Sequence, residues 1–457
     1  MKRRTLLQLA GLGAAVAGCG GGSTVGTGTS GGGIAATPLP ARPNVLFISI
    51  DDLNDWVGFL GGHPQVLTPG LNALAAKSTV FQKAYCNAPV CSPSRASALS
   101  GLSVQSTGVF GNDQTFSSVN PGKKQVDGMF RDAGYRVQRY GKVDHTYAPF
   151  AQPLPATMPY ANKVCYAPAG EGAFDWGPAP GGDAAQPDYR YAQQGIDFLS
   201  GAGDQPFFLS IGFARPHVGW YVPQRFFDIY PLDQLILPAG PADDLNDLGP
   251  AGKAIALKFN FHQCITSQNL WADAVQGYLA SISWVDTQVA RLLAALESSP
   301  HAANTLVVLW SDHGFHLGEK FHWHKLALWE RCTRVPFLVR QPGQKARVDV
   351  DACVSLRDMT PTLLDYCGVS PAYAMDGRSL KPLLVNPAQA WDYPVLTTKD
   401  QHDHAIRTRE WRYIRYASGE KELYDERIDP HEIRNVAMDP SYAATIAQLD
   451  VLMPPMP

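Results

Sequence analysis

The 457-residue sequence predicts an α/β domain with a large, mostly parallel sheet between helices and a small antiparallel sheet appended at the C-terminus. Three observations predict it. Uniformly apolar runs, Asn44–Ile50 (NVLFISI), Pro206–Phe213 (PFFLSIGF) and Thr305–Ser311 (TLVVLWS), read as strands covered on both faces. Helical patterns separate them. Past about Pro387 the spacing tightens to short strands with turns between them.

The first 18 residues read as an export signal. Lys2, Arg3 and Arg4 precede an uncharged stretch, Thr5 to Gly18, too short to span a bilayer. The Arg3-Arg4 pair resembles a twin-arginine signal, and Val16-Ala17-Gly18-Cys19 resembles a bacterial lipobox, in which the cysteine is lipidated after cleavage. These features predict a lipoprotein of the bacterial cell envelope, periplasmic or surface-exposed, touching membrane only through Cys19. Residues 19–42 are rich in Gly, Ser and Thr and read as a flexible tether. A main domain is expected over 43–386 and a C-terminal subdomain over 387–457.

Along the main domain, Thr68-Pro69 opens a helix running on from Leu71 to Ala76. Ser94–Ser100 and Gln125–Ala133 read as helices, and Tyr135–Tyr140 and Val335–Val339 as strands. Tyr278, Ile282, Val285, Val289, Leu292 and Leu296 recur at helical spacing on one face of a long amphipathic helix. His404–Arg409, Trp411–Tyr416 and Lys421–Asp425 are the short C-terminal strands, with a turn at Ser418-Gly419.

Composition narrows the function. Apolar residues make up 45% of the chain, enough for a large core. Lys and Arg number 38 against 41 Asp and Glu, a net charge of −3 that falls to −6 without Lys2, Arg3 and Arg4. That balance argues against nucleic acid as a partner, so any anionic ligand must be met by a few placed cations.

Two of the apolar runs end in ligand-like pairs, Asp51-Asp52 and Asp312-His313. Ligands bind at the carboxyl ends of strands in open α/β sheets. One such pair alone reads as a solvated turn; the second points to a divalent cation in a hard, oxygen-rich site.

The sharpest signal is Cys91-Ser92-Pro93-Ser94-Arg95, with Leu99 and Gly101 following. It resembles the signature of type I sulfatases, in which the cysteine is oxidised to formylglycine. The resemblance extends from about Pro43 to Asn435 and is closest to the iduronate-2-sulfatase-like branch of the alkaline phosphatase superfamily. It implies an alkaline phosphatase-like fold and hydrolysis of a sulfate monoester, on a terminal sulfated sugar, by the hydrated aldehyde. It also implies a formylglycine-generating enzyme as a partner in maturation. By resemblance, Asp51, Asp52, Asp312, His313 and the modified Cys91 are the metal ligands, with Ca2+ expected and Mg2+ the alternative. Arg95 would orient the diol. Lys142 and His145, in GKVDH, match the family's Lys-x-x-His, with His145 as base. His217, in ARPHVGW, and Lys325 would bind the sulfate. His316, His322 and His324 read as substrate-side loop residues. Where iduronate-type enzymes carry an arginine after Asp-Asp-Leu, this chain has Asn54, which puts a uronate substrate in doubt.

Two alternatives stay open: a phosphate or phosphonate monoester hydrolase of the same superfamily, and a non-catalytic glycan-binding lipoprotein with an unmodified Cys91. Cys86, Cys165, Cys264, Cys332, Cys353 and Cys367 could pair in any combination; the short loop favours Cys353 with Cys367.

Overall fold

The computed structural model describes residues 42–145, 165–166, 173–238 and 240–455. The expected export signal, Cys19 and nearly all of the tether lie outside the described residues. Among the described residues no helix is long and apolar enough to cross a membrane.

Seven strands form the central sheet: β1 (Asn44–Ile50), β2 (Thr79–Tyr85), β3 (Arg136–Gly141), β4 (Phe207–Phe213), β5 (Thr305–Ser311), β6 (Phe337–Arg340) and β7 (Val348–Ser355). Their spatial order is β7-β2-β6-β5-β1-β4-β3. β6 runs antiparallel to both neighbours and every other pairing is parallel. β1, β4 and β5 are buried along their whole length. Helices α1 (Pro69–Ala75), α4 (Pro187–Ser200) and α5 (Trp271–Glu297) pack on the face carrying Leu46, Ile48 and Ile50. Helices α2 (Cys91–Ser100), α3 (Val126–Asp132) and α6 (Met359–Cys367) pack on the face carrying Val45 and Phe47. Burial on both faces is why these strands read as unbroken apolar runs rather than alternating ones.

Register positions the site. Ile50 pairs with Phe213 on one side and with Ser311 on the other. The chain therefore leaves β1, β4 and β5 at one level, delivering Asp51-Asp52, the loop to His217, and Asp312-His313 to the same edge. β3 ends beside them, with Gly141 opposite Gly212.

The C-terminal sheet has four antiparallel strands, β8 (Val395–Lys399), β9 (Asp403–Arg407), β10 (Trp411–Arg415) and β11 (Lys421–Asp425), in sequential order. One face packs on α7 (Ala443–Asp450) through Ile406, Tyr413, Leu423 and Leu449. The other carries Ala405, Ile414, Tyr416 and Tyr424 against Ala327, Leu328 and Trp329. The small sheet thus backs the loop that holds Lys325.

The structure corrects the cysteine expectation. Cys353 and Cys367 are both free and buried, as are Cys86, Cys91 and Cys332, while Cys264 is disulfide-bonded. Cys353 lies in β7, against Tyr85 and Val395, whereas Cys367 ends α6 in the core beneath α2 and α3.

Candidate active site

Cys91 is the first residue of α2, and Gly101, at φ 73°, ends that helix in the left-handed conformation. Pro93 falls in the first turn, where the missing N–H costs nothing. The first intrahelical bond runs from Ser94 N–H to Val90 O, 3.1 Å. The next two residues moor the helix to the strand ends. Ser94 Oγ donates to Asp312 O at 2.5 Å. Arg95, fully buried, donates from Nε to Asp312 Oδ2 (2.9 Å), from Nη2 to Asp51 Oδ1 (2.9 Å), and from Nη1 to the carbonyls of Lys142 (2.8 Å) and Val143 (3.0 Å). Its bonds go to two carboxylates and a turn, which makes it the brace of the cluster.

Around Cys91 Sγ stand Lys325 Nζ at 3.1 Å, His313 Nε2 at 3.3 Å, Lys142 Nζ at 3.7 Å and Asp52 Oδ1 at 4.0 Å. Lys142 Nζ also donates to Asp51 Oδ2 (2.5 Å) and Lys325 Nζ to Asp52 Oδ1 (2.9 Å). His217 Nε2 is 3.9 Å from Asp52 Oδ2. The donors fall into two groups that share Cys91: Asp51, Asp52 and His217 in one, Asp312 and His313 in the other. His145 lies beyond Lys142 at the cluster's margin, half-buried, and feels the charges of Cys91 and Asp51. Asp51, Asp52, Cys91, Arg95, Lys142, His217, Asp312, His313 and Lys325 therefore converge, with His145 near enough to feel the same charges.

Burial opposes every charge here, and the partners decide the outcome. Desolvation raises the Cys91 thiol, but Lys142 and Lys325 outweigh it and hold its pKa well below the usual thiol value. Asp51 is likewise held down, against its burial, by Lys142 and Arg95. Asp312 goes the other way: burial lifts it to about 7 despite Arg95 and His313. His313 Nδ1 lies 3.0 Å from Gly314 O, which aims Nε2 at the cluster. Burial lowers the pKa of this ring, but Asp312, Cys91 and Asp52 outweigh it and push it up to about 9, so a cation bound at Nε2 would displace a proton. Asp52 Oδ2 is buried with no hydrogen-bond partner. Three carboxylates, one outward-turned imidazole and a buried orphan oxygen fit a hard divalent cation.

Residues 43–369 match the family described as sulfatase, and residues 318–454 match the one described as N-sulphoglucosamine sulphohydrolase, C-terminal. The chain belongs to the sulfatase family. A sulfatase of Formosa agariphila is 34% identical over 442 residues, covering 90% of this chain and 86% of the relative. Human iduronate 2-sulfatase is 31% identical over 335 residues, 66% of this chain and 60% of that one. Among solved structures, the phosphonate monoester hydrolase of Agrobacterium radiobacter superposes with a TM-score of 0.76 at 22% identity, covering 90% of this chain and 94% of that one. An enzyme solved with its substrate D-glucosamine-2-N,6-O-disulfate superposes at 0.70 and 22%, covering 90% and 96%. This sulfatase is accordingly a sulfuric ester hydrolase on the alkaline phosphatase-like fold.

Several supports of the sulfatase site were invisible in the sequence. Tyr278, read only as a core position of the long helix, donates its hydroxyl to Asp52 O (2.7 Å) and accepts from Asn54 N–H (3.0 Å). It pins the turn in which Asp52 sits at φ 59°. Asp188 accepts from Ala214 N–H (2.7 Å) and Arg215 N–H (3.1 Å), and Arg215 Nη1 donates to His217 O (3.0 Å). A glycine signal was available in GKVDH and SIGFARPH. A Cβ on Gly212 would stand 2.1 Å from the carbonyl carbon of Lys142, so only glycine lets β4 pass close enough to set that lysine.

One sequence reading changes, and Asn54 gains a structural role. Asn54 is fully buried; its Nδ2 donates to Phe315 O (2.9 Å) and its Oδ1 accepts from Trp56 N–H (2.9 Å). It is a turn-forming residue whose amide is spent inside the fold. His316, His322 and His324 are likewise buried, and His322 is bonded to the backbone at Ala256 O and Lys325 O. They shape the Lys325 loop from within instead of lining the substrate side.

Proposed function

We propose that this sulfatase removes sulfate from a terminal sulfated sugar, using a formylglycine made from Cys91 and one divalent metal, Ca2+ in preference to Mg2+. The observation that carries the reading is the placement of Cys91 Sγ at a helix start, 3.1 Å from Lys325 and 3.7 Å from Lys142, above three buried carboxylates. Asp51, Asp52, Asp312 and His313 would hold the metal, together with residue 91. The metal would lower the pKa of the aldehyde hydrate and offset sulfate charge. A mostly oxygen ligand set would suit the larger, more flexibly coordinated ion.

The protein's own groups divide the remaining work. Arg95 fixes Asp51 and Asp312 and thereby the position of residue 91. Lys142 and Lys325 neutralise the sulfate oxygens, and the α2 N-terminus adds its dipole. His145 takes the hydrate proton as base. His217, partly exposed, meets the ester oxygen of the leaving alcohol. A formylglycine-generating enzyme would act in maturation, and export would leave the mature chain tethered to the cell envelope through Cys19.

Peptide mass spectrometry of active protein tests the reading: residue 91 is expected as the aldehyde or its hydrate. Cys91→Ala is expected to abolish turnover of 4-nitrophenyl sulfate while keeping the thermal transition. Full activity with an unmodified thiol at 91 overturns it. A higher rate on 4-nitrophenyl phosphate or a phosphonate monoester than on the sulfate overturns the choice of ester.

A further inference from the structure

Lys325 is flanked by backbone that its neighbours do not favour. His324 has φ 101° and Leu326 φ 72°, both in the left-handed region, and Lys320 and Phe321 share it at φ 52° each. Residues with a Cβ enter that region at a cost and stay there only when surrounding contacts hold them. Two contacts do so at the peptide group joining Lys325 to Leu326. Its N–H donates to Pro89 O at 2.9 Å, which ties the loop to the segment entering α2. Its carbonyl, Lys325 O, lies 2.9 Å from His322 Nε2. That peptide group is gripped at both polar ends.

His322 is itself fixed. It is fully buried, and its ring stands edge-on to those of His316 and Trp329, with centroids 5.1 and 6.1 Å away. Its Nδ1 faces Ala256 O, at the end of the helix Pro250–Ala256, at 3.3 Å. Burial pushes the ring's pKa down to about 4, so near neutrality it carries one N–H, and the shorter contact assigns that proton to Nε2. From the gripped peptide the lysine stem reaches Asp52 Oδ1 at 2.9 Å and Cys91 Sγ at 3.1 Å. A four-carbon stem is flexible, so the ammonium is placed only as well as its backbone is.

We propose that His322 is a positioning residue: by donating from Nε2 to the Lys325 carbonyl it holds the strained loop and keeps the Lys325 ammonium between Asp52 and residue 91. The proposal rests on the reading of Lys325 as a sulfate-binding cation and adds what places that cation.

Kinetics of 4-nitrophenyl sulfate hydrolysis test it, with inorganic sulfate as competitive inhibitor. A glutamine puts its amide nitrogen about where Nε2 lies, an asparagine about where Nδ1 lies. His322→Asn is therefore expected to lower kcat/KM by roughly 10- to 100-fold, the scale of a misplaced reacting group, and to raise the Ki of sulfate. His322→Gln is expected to stay within about threefold of the wild type on both measures. Lys325→Ala alone should cost roughly 100-fold or more; added to it, His322→Asn should cost less than about threefold further, because it acts through the lysine. Should His322→Asn fail to fold in thermal melts, His322→Phe, which keeps a ring beside His316 and Trp329 but no donor, takes its place with the same expectations. Equal losses in the asparagine and glutamine variants overturn the proposal, since a residue that only fills space does not distinguish where the amide lies. So does the full loss repeated on top of Lys325→Ala, or wild-type kinetics in His322→Asn. Lys325→Ala with wild-type turnover and sulfate binding would show instead that the reading of Lys325 is wrong, and the proposal falls with it.

Discussion

Arg95→Ala, studied with Asp312→Asn in a double-mutant cycle, tests whether the arginine is the brace of the cluster. Arg95 has no exposed surface, and neither do the carboxylates of Asp51 and Asp312 that it pairs at 2.9 Å each. Breaking a buried pair by removing one partner costs about 3–5 kcal/mol, because the other charge stays buried and uncompensated. With roughly 2.1 cal/mol/K of unfolding entropy per residue and on the order of 400 folded residues, that cost lowers Tm by about 4–6 °C. The two carboxylates are not equally hurt. Asp51 keeps Lys142 at 2.5 Å, whereas Asp312 keeps only backbone N–H donors and His313 at 3.5 Å. Neutralising Asp312 in the Arg95→Ala background should therefore recover stability, and the double variant should be about 1–3 kcal/mol more stable than the sum of the single effects. The assay is thermal and urea unfolding in chelator, so that metal binding does not enter the cycle. Additivity within about 0.5 kcal/mol would show that the two side chains act independently and refute the brace. Arg95→Lys is expected to rescue little, since one ammonium cannot span two carboxylates and two carbonyls.

Removing divalent metal with a chelator is expected to abolish 4-nitrophenyl sulfate turnover, and added Ca2+ to restore it more fully than Mg2+; full activity in excess chelator would contradict the metal assignment. Asp312→Asn should weaken metal binding by calorimetry and lower turnover together. Stability should fall as pH rises from about neutrality to 9. Burial, reinforced by Glu330 and Glu432, pushes Glu426 up to about 9, so its proton is held in the fold and lost on unfolding. A raised acid contributes stability that is complete below its ordinary value of 4.5 and is lost as pH rises through the folded value, and Glu426→Gln should flatten that alkaline limb in thermal melts. Cys19→Ser is expected to release the exported protein from membranes on fractionation; retention of the variant in the membrane would refute the lipid anchor.

What the sequence shows and hides follows from where the information resides. Asp51 and Asp312 were legible because each breaks an unbroken apolar run, and the break itself marks the strand end. β2 and β7 escaped notice. TVFQKAY carries Gln82 and Lys83 within the strand, and VDVDACVS turns Asp349 and Asp351 to solvent, so neither shows a continuous apolar run. The helix at Cys91 was placed three residues late, since Pro93 looks like a breaker until its position in the first turn is seen. The roles of Tyr278, Asp188 and Arg215 depend on contacts across long stretches of chain, and no local pattern encodes a hydroxyl that reaches from α5 to the Asp52 turn. Asn54 was legible only as the absence of an arginine; that its amide bonds Phe315 and Trp56 inside the turn is a long-range contact the sequence does not encode.

If Cys91 is converted to formylglycine, as proposed, the five residues from Cys91 to Arg95 set when that conversion can happen. Cys91 is 1% exposed, walled by Lys142, Lys325 and His313, and the helix it starts is moored through Ser94 and Arg95 to Asp312 and Asp51. An enzyme that oxidises this thiol cannot reach it once those bonds have formed, because access would require undoing the brace along with the first turn. Conversion at residue 91 must then precede closure of the site. If the Arg3-Arg4 signal exports the chain already folded, conversion must also precede export, so it would take place on the cytoplasmic side. The residues that carry the sulfatase resemblance in the sequence are, in the fold, the clamp that holds Cys91 against the carboxylates.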